Sequence, residues 1–156
     1  MYLNFFIQGC VQTIAYHMTQ LEELDLKSCP MLNYRSIDVL LRNLVNLRVL
    51  SLASNDFVDD EILKIIAEHQ KQLLRLNLFG CNSITDRGIV NIVNNCKKLQ
   101  SISIRKCFTL TEKSVILLRD NKIQHDIAHD PTFVRFNTLN TNRHNMSFLS
   151  YMNDNK

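Results

Sequence analysis

The chain is short of the residues that build irregular loops, with three glycines and two prolines in 156 positions, and it has no tryptophan. Phosphate-cradling loops draw on closely spaced glycines, so this supply argues against a nucleotide enzyme. No apolar run reaches the roughly 18 to 20 residues of a bilayer-spanning helix, and no membrane partner is expected. Met1 to Met18 is apolar, but the first Lys or Arg is Lys27, so the stretch lacks the positive n-region of a signal peptide. No CxxC pair is present: Cys10, Cys29, Cys81, Cys96 and Cys107 are odd in number and widely spaced, unlike a zinc ribbon or a secreted disulfide framework. Reduced thiols in the cytoplasm or nucleus are the expectation. Strong charge of one sign is also missing, since 18 Lys and Arg against 15 Asp and Glu leave a formal +3. So even a balance gives no nucleic-acid footprint. What remains, 46% hydrophobic and 21% charged residues, is the composition of a folded domain or a short repeat array.

The dominant feature is self-similarity. Leu21-x-x-Leu24-x-Leu26-x-x-Cys29, Leu47-x-x-Leu50-x-Leu52-x-x-Asn55, Leu73-x-x-Leu76-x-Leu78-x-x-Cys81 and Leu99-x-x-Ile102-x-Ile104-x-x-Cys107 recur at a period of 26 residues without insertion. Three further columns hold the register: Leu32, Val58, Ile84, Leu110; Ile37, Leu63, Ile89, Val115; and Leu40, Ile66, Ile92, Leu118. The alternating LxL half of each unit predicts a short strand, and the following apolar spacing of three and four predicts a helix. Asn33, Asp59, Thr85 and Thr111 stand where each helix begins, with side chains able to accept from its first free amides. Asp60, Asp86 and Glu112 then place negative charge at the positive end of the helix dipole. One unit cannot bury both of its faces, so the units must stack, with strands paired in a parallel sheet on the concave side and helices outside. The expected fold is an α/β right-handed solenoid of four full repeats.

Val11, Ile14 and Met18 fall in the columns of Ile37, Leu40 and Leu44, which makes residues 1–20 a partial zeroth repeat or N-terminal cap. Residues 21–122 hold the four repeats. The register fails after Lys122, so 123–136 is expected to be a degenerate C-terminal cap and 137–156, with six Asn, a disordered tail.

The 26-residue period, the Cys at the ninth position of LxxLxLxxC, the segment Ile84-Thr85-Asp86-Arg87-Gly88-Ile89 and Cys96 three residues before Leu99 together resemble the cysteine-containing leucine-rich repeats of F-box proteins and mitotic-exit antagonist proteins. The resemblance implies a substrate-recognition arm of a ubiquitin ligase. Ligase components would be partners if an F-box lies upstream, for none fits within the first 20 residues.

Alternation along the strands points three columns out of the concave sheet: Glu23, Val49, Arg75, Ser101; Asp25, Ser51, Asn77, Ser103; and Lys27, Ala53, Phe79, Arg105. The expected protein-binding strip is Arg75, Phe79, Arg105, Val49, Asn77, Glu23 and Asp25, centred on Phe79, with Arg75 and Phe79 on one strand and Arg105 beside them. A protein substrate or a scaffold partner fits such a strip, the latter in a ciliary or mitochondrial assembly. Cys29, Asn55, Cys81 and Cys107 read as a packing ladder that bonds to loop backbone. No cofactor, metal or catalytic residue is expected. The rival in another class is a metal-dependent enzyme using His125 and His129, which would share a face if the segment were helical.

Overall fold

The computed structural model describes the backbone of residues 2–127 and the side chains of residues 10–127. Helices and strands alternate: α1 (Tyr2–His17), β1 (Glu23–Asp25), α2 (Tyr34–Asn43), β2 (Val49–Ser51), α3 (Asp60–His69), β3 (Arg75–Asn77), α4 (Asp86–Asn95), β4 (Ser101–Ser103), α5 (Glu112–Asp120) and β5 (Gln124–His125). The strands form one parallel sheet in chain order, β1-β2-β3-β4-β5. Glu23 pairs with Val49, Val49 with Arg75 and Arg75 with Ser101, so each column of the repeat is a row of spatial neighbours. The last crossover is shorter, for Ser101 pairs with Gln124. Each helix packs on the next, α1 on α2 through to α4 on α5.

The apolar columns fill the space between the two layers. Leu50, Leu52, Leu73, Leu78, Ile104 and Leu110 are fully buried, each contributing about 1.5 to 3 kcal/mol. The helices start where cap chemistry places them: Asn33 accepts from Ser36 N, Asp59 from Glu61 N and Ile62 N, Thr85 from Arg87 N and Thr111 from Lys113 N.

Two inter-repeat devices hold the register. At the ninth position, Asn55 Nδ2 donates to Leu26 O at 2.8 Å, Cys81 Sγ to Leu52 O at 3.3 Å and Cys107 Sγ to Leu78 O at 3.0 Å. Each reaches 29 residues back to the same carbonyl position, and Asn55 Oδ1 also takes the Cys29 N–H. Burial pushes the Cys107 thiol up to about 12 and that of Cys96 to about 11, so both stay protonated and inert.

The second device is at the helix starts, where Asp60 and Asp86 do more than complement the dipole. Asp60 Oδ1 accepts from Thr85 N at 2.7 Å and its Oδ2 from Thr85 Oγ1 at 2.6 Å. Asp86 repeats the arrangement on Thr111 and adds Ser114 Oγ. Each carboxylate therefore clamps the capping residue of the next repeat. Gly88 lies against the Asp60 clamp, where an added Cβ would stand 2.5 Å from Asp60 Oδ1 and 2.6 Å from Leu63 Cδ1.

After each strand the chain turns through the left-handed region at Ser28, Ser54, Gly80 and Lys106, with φ from 53 to 69°. Only repeat three has the glycine that this backbone favours. In the first helix Val11 and Ala15 are buried and Ile14 partly so, but Met18 is 49% exposed where its counterpart Leu44 is fully buried. Among the described residues no strand pairs with the outer edge of β1. No helix among the described residues is long and apolar enough to cross a membrane. The expected tail and the end of the expected cap, residues 128–156, lie outside the described residues.

Candidate protein-interaction face

The outward columns of the sheet are short polar side chains between charged ends. Ser51, Asn77, Ser101 and Ser103 line a shallow groove of about 490 Å³, bounded by Asp25 at one side and by Gln124 and Asp126 at the other. Within it Asn77 Nδ2 donates to Ser51 Oγ at 3.4 Å, and Asn77 Oδ1 accepts the Phe79 N–H at 3.0 Å. Asp25 makes the same local turn, accepting from Lys27 N. That bond, with one from Ser51, holds its carboxyl below the usual value.

The predicted residues occupy this face unevenly. Val49 is half-buried, and the exposed Arg75 reaches across it to Glu23, with Nη2 to Oε1 at 3.7 Å. Both partners are largely in solvent, where such a pair is worth little. Arg105 is exposed and Phe79 half-buried. The expectation that Arg75 and Phe79 share a strand is corrected: β3 ends at Asn77 because the chain must turn at Gly80, so Phe79 stands in the turn. Ladder bonds nevertheless continue, from Leu78 N to Ser103 O and Gly80 N to Arg105 O, and these set Phe79 and Arg105 side by side.

The cation over the Phe79 ring is Lys106, 5.4 Å from the centroid. Sequence reasoning counts Lys106 among the basic residues of the later repeats but leaves it out of the expected strip. Its column otherwise holds Ser28, Ser54 and Gly80, and only the left-handed φ of 61° at Lys106 reveals the turn that carries it to the ring. Asp126 was missed as well. Its Oδ1 accepts from Ile104 N at 2.9 Å and Arg105 N at 3.1 Å, and its Oδ2 from Ser103 Oγ, which closes the far edge of the groove.

The helical premise of the metal reading fails at His125. That residue lies in β5, extended beside Ile102, so the shared helical face with His129 is not formed there. Burial, with Arg119 nearby, holds its imidazole below the usual pKa against the pull of Asp126. His129 is outside the described residues, and among those described no three His, Cys, Asp or Glu side chains are grouped to hold a metal ion. Ser103 Oγ donates its hydrogen bond to the Asp126 carboxylate.

A leucine-rich-repeat family model matches residues 43–67 and 69–93. No curated protein sequence matches the chain. Among solved structures, the tropomodulin C-terminal domain of Caenorhabditis elegans superimposes with a TM-score of 0.56 at 12% identity, over 85% of this chain and 89% of that one. Leiomodin-1 actin-binding site 2 superimposes with a TM-score of 0.56 at 15% identity, over 85% of this chain and 84% of that one. At these identities the likeness is one of fold, and it agrees with the repeat geometry in giving an α/β leucine-rich-repeat solenoid.

Proposed function

We propose that this leucine-rich-repeat solenoid is a non-catalytic protein-interaction module whose sheet face grips another protein around Phe79. The observation that carries the reading is the patch itself: the half-buried ring of Phe79 under Lys106 and beside Arg105, with the Phe79 N–H bonded to Asn77 of the polar groove. Such a patch offers apolar contact and charge-directed hydrogen bonds together, the combination that concentrates binding energy at interfaces.

The finer reading is a substrate-recognition arm of a ubiquitin ligase. It is supported by the Cys81 and Cys107 ladder and by the Ile84 to Ile89 segment that resembles F-box relatives. Finding an F-box upstream in the transcript would favour it over a scaffold role. The leiomodin-1 fragment of similar fold is an actin-binding site, so actin is a second candidate partner, tested by co-sedimentation with filaments.

The deciding experiment is a proximity-labelling screen for a partner, followed by affinities of two variants. Phe79→Ala should weaken binding by about 2 kcal/mol or more without unfolding the protein. Lys64→Ala, on the exposed helical side, should bind normally. The reverse outcome would move the interface to the helices and favour a scaffold.

A further inference from the structure

The formal charge of +3 conceals a segregation between the two loop edges of the solenoid. The loops that lead from a helix into β2, β3 and β4, residues 44–48, 70–74 and 96–100, hold Arg48, Lys71, Lys97 and Lys98 and no Asp or Glu. The loop after α5 adds Lys122. The opposite edge, where strands turn into helices, holds Asp56, Asp59, Asp60, Glu61, Asp86 and Glu112. Most of those carboxylates are occupied by the fold itself. Asp59 caps α3, Asp60 holds Thr85 and Arg87, Asp86 holds Thr111 and Ser114, and Glu61 lies 3.8 Å from Arg87 Nη2.

The basic edge has no such internal balance. Lys71, Lys97, Lys98 and Lys122 are exposed and make no ion pair among the described residues. Lys71 Nζ donates to Ala67 O and Lys97 Nζ to Val93 O, the last-turn carbonyls of α3 and α4. Those bonds suit the helix dipole, but each uses one of three ammonium donors and leaves the full charge in place. Lys98 has no dipole role, since it stands two residues past the Cys96 cap and donates to Gln72 Oε1. With Arg48 it flanks a groove of about 340 Å³, floored by Leu74 and walled by the carboxamides of Asn46 and Gln72. Glu22 enters the same groove already paired with Arg48, at 3.4 Å.

We infer that this edge docks an acidic segment of a partner protein, an extended stretch of Asp and Glu laid across the loops that precede β2, β3 and β4. Its carboxylates meet the ammonium groups of Lys71, Lys97 and Lys98 on successive turns of the solenoid and take hydrogen bonds from the carboxamides of the groove. The loops carry no aromatic residue, which favours carboxylates over the stacked bases of a single-stranded nucleic acid or the interfacial anchoring of a bilayer. Residues 128–156 hold Asp130 and Asp154 against Arg135, Arg143 and Lys156, so they do not supply the acidic segment. A second copy would have to offer the opposite edge, whose carboxylates are bound up in caps and clamps. Phe79 stands on that opposite edge, in the turn after β3, and the inference does not rest on it.

The test uses the full chain and a short fluorescein-labelled peptide of alternating glutamate and serine. Its comparators are a lysine–serine peptide, single-stranded oligothymidine and phosphatidylserine vesicles. Fluorescence anisotropy should show binding of the glutamate peptide that weakens as salt is added, and none of the lysine peptide. The double variant Lys97→Gln with Lys98→Gln, at two exposed positions, should keep its circular dichroism and lose at least about tenfold in affinity. Lys64→Gln, on the exposed helical side, and Phe79→Ala should bind the peptide normally. No binding of the glutamate peptide, equal binding of the lysine peptide or by the double variant, or tighter binding of oligothymidine or of the vesicles would overturn the proposal. A concentration-dependent oligomer abolished by Lys98→Gln and by Glu61→Gln alike would also overturn it, because the occupant would then be the acidic edge of a second copy.

Discussion

The two ends of the solenoid meet the same problem and solve it differently. At the C-terminal end the last strand among the described residues is β5, two residues long, and the Asp126 carboxylate takes the amides of Ile104 and Arg105. Ile123 and Ile127 close the core beneath it, at 6% and 1% exposure. At the N-terminal end α1 packs on the helical layer, where Val11 and Ala15 are buried, and Leu24 and Leu26 are partly exposed under β1, which among the described residues pairs with β2 alone. A solenoid has two layers, and capping one does not cap the other. Among the described residues the C-terminal end has a carboxylate on the amides that follow β4, and the N-terminal end has no such acceptor on β1.

The sharpest way to break this comparison is to make one substitution at both places. Leu76→Ala, with repeats on either side, should cost roughly 2 to 5 kcal/mol in urea unfolding. Leu24→Ala, in the same column at the open edge, already meets water and should cost about half as much or less. Equal losses would mean that the edge is covered in solution.

A smaller effect is expected at the clamp between repeats two and three. Asp60→Ala removes both acceptors of Thr85 together with the partner of Arg87 Nε, and should lower stability by about 1 to 3 kcal/mol. Glu61→Ala, one residue on and exposed, serves as the control and should change little.

The smallest effects are in pH dependence. His125 has a folded pKa below 6.5, so under that pH the unfolded chain binds more protons and stability declines as pH falls. At Asp86 burial pushes the carboxyl up, but hydrogen bonds from Ser114 and Thr111 together outweigh it and leave the group below 3.8. Its contribution is complete above that value and is lost as pH falls through the depressed one. Thermal melts should therefore show a shallow decline beginning near pH 6.5 and a steeper one below about 4. His125→Gln should remove the first, and Asp86→Asn should reduce the second.

The sequence made the architecture legible because one period fixed six apolar columns and four cap positions at once, so Leu50, Leu76 and Thr85 could be placed with no structure at all. The Asp60 and Asp86 clamps were half legible. Their helix-start position was evident, but the thing they hold is the next repeat's threonine, a pairing that only stacking creates. Lys106 over Phe79 was hidden because serine and lysine in a left-handed turn carry no residue signature, unlike Gly80 in the same column. Asp126 was hidden because the last crossover loses three residues and shifts the register that had located everything else.

Residue-resolved hydrogen exchange on the intact chain tests the contrast between the two ends most directly. Closure at one end and exposure at the other predict fast exchange at Glu23 and Asp25, slow exchange through β3 and β4, and protection at Ile104 and Arg105 that disappears in Asp126→Ala. Uniform protection from β1 to β4, or amides at Ile104 and Arg105 that ignore the loss of Asp126, would contradict it.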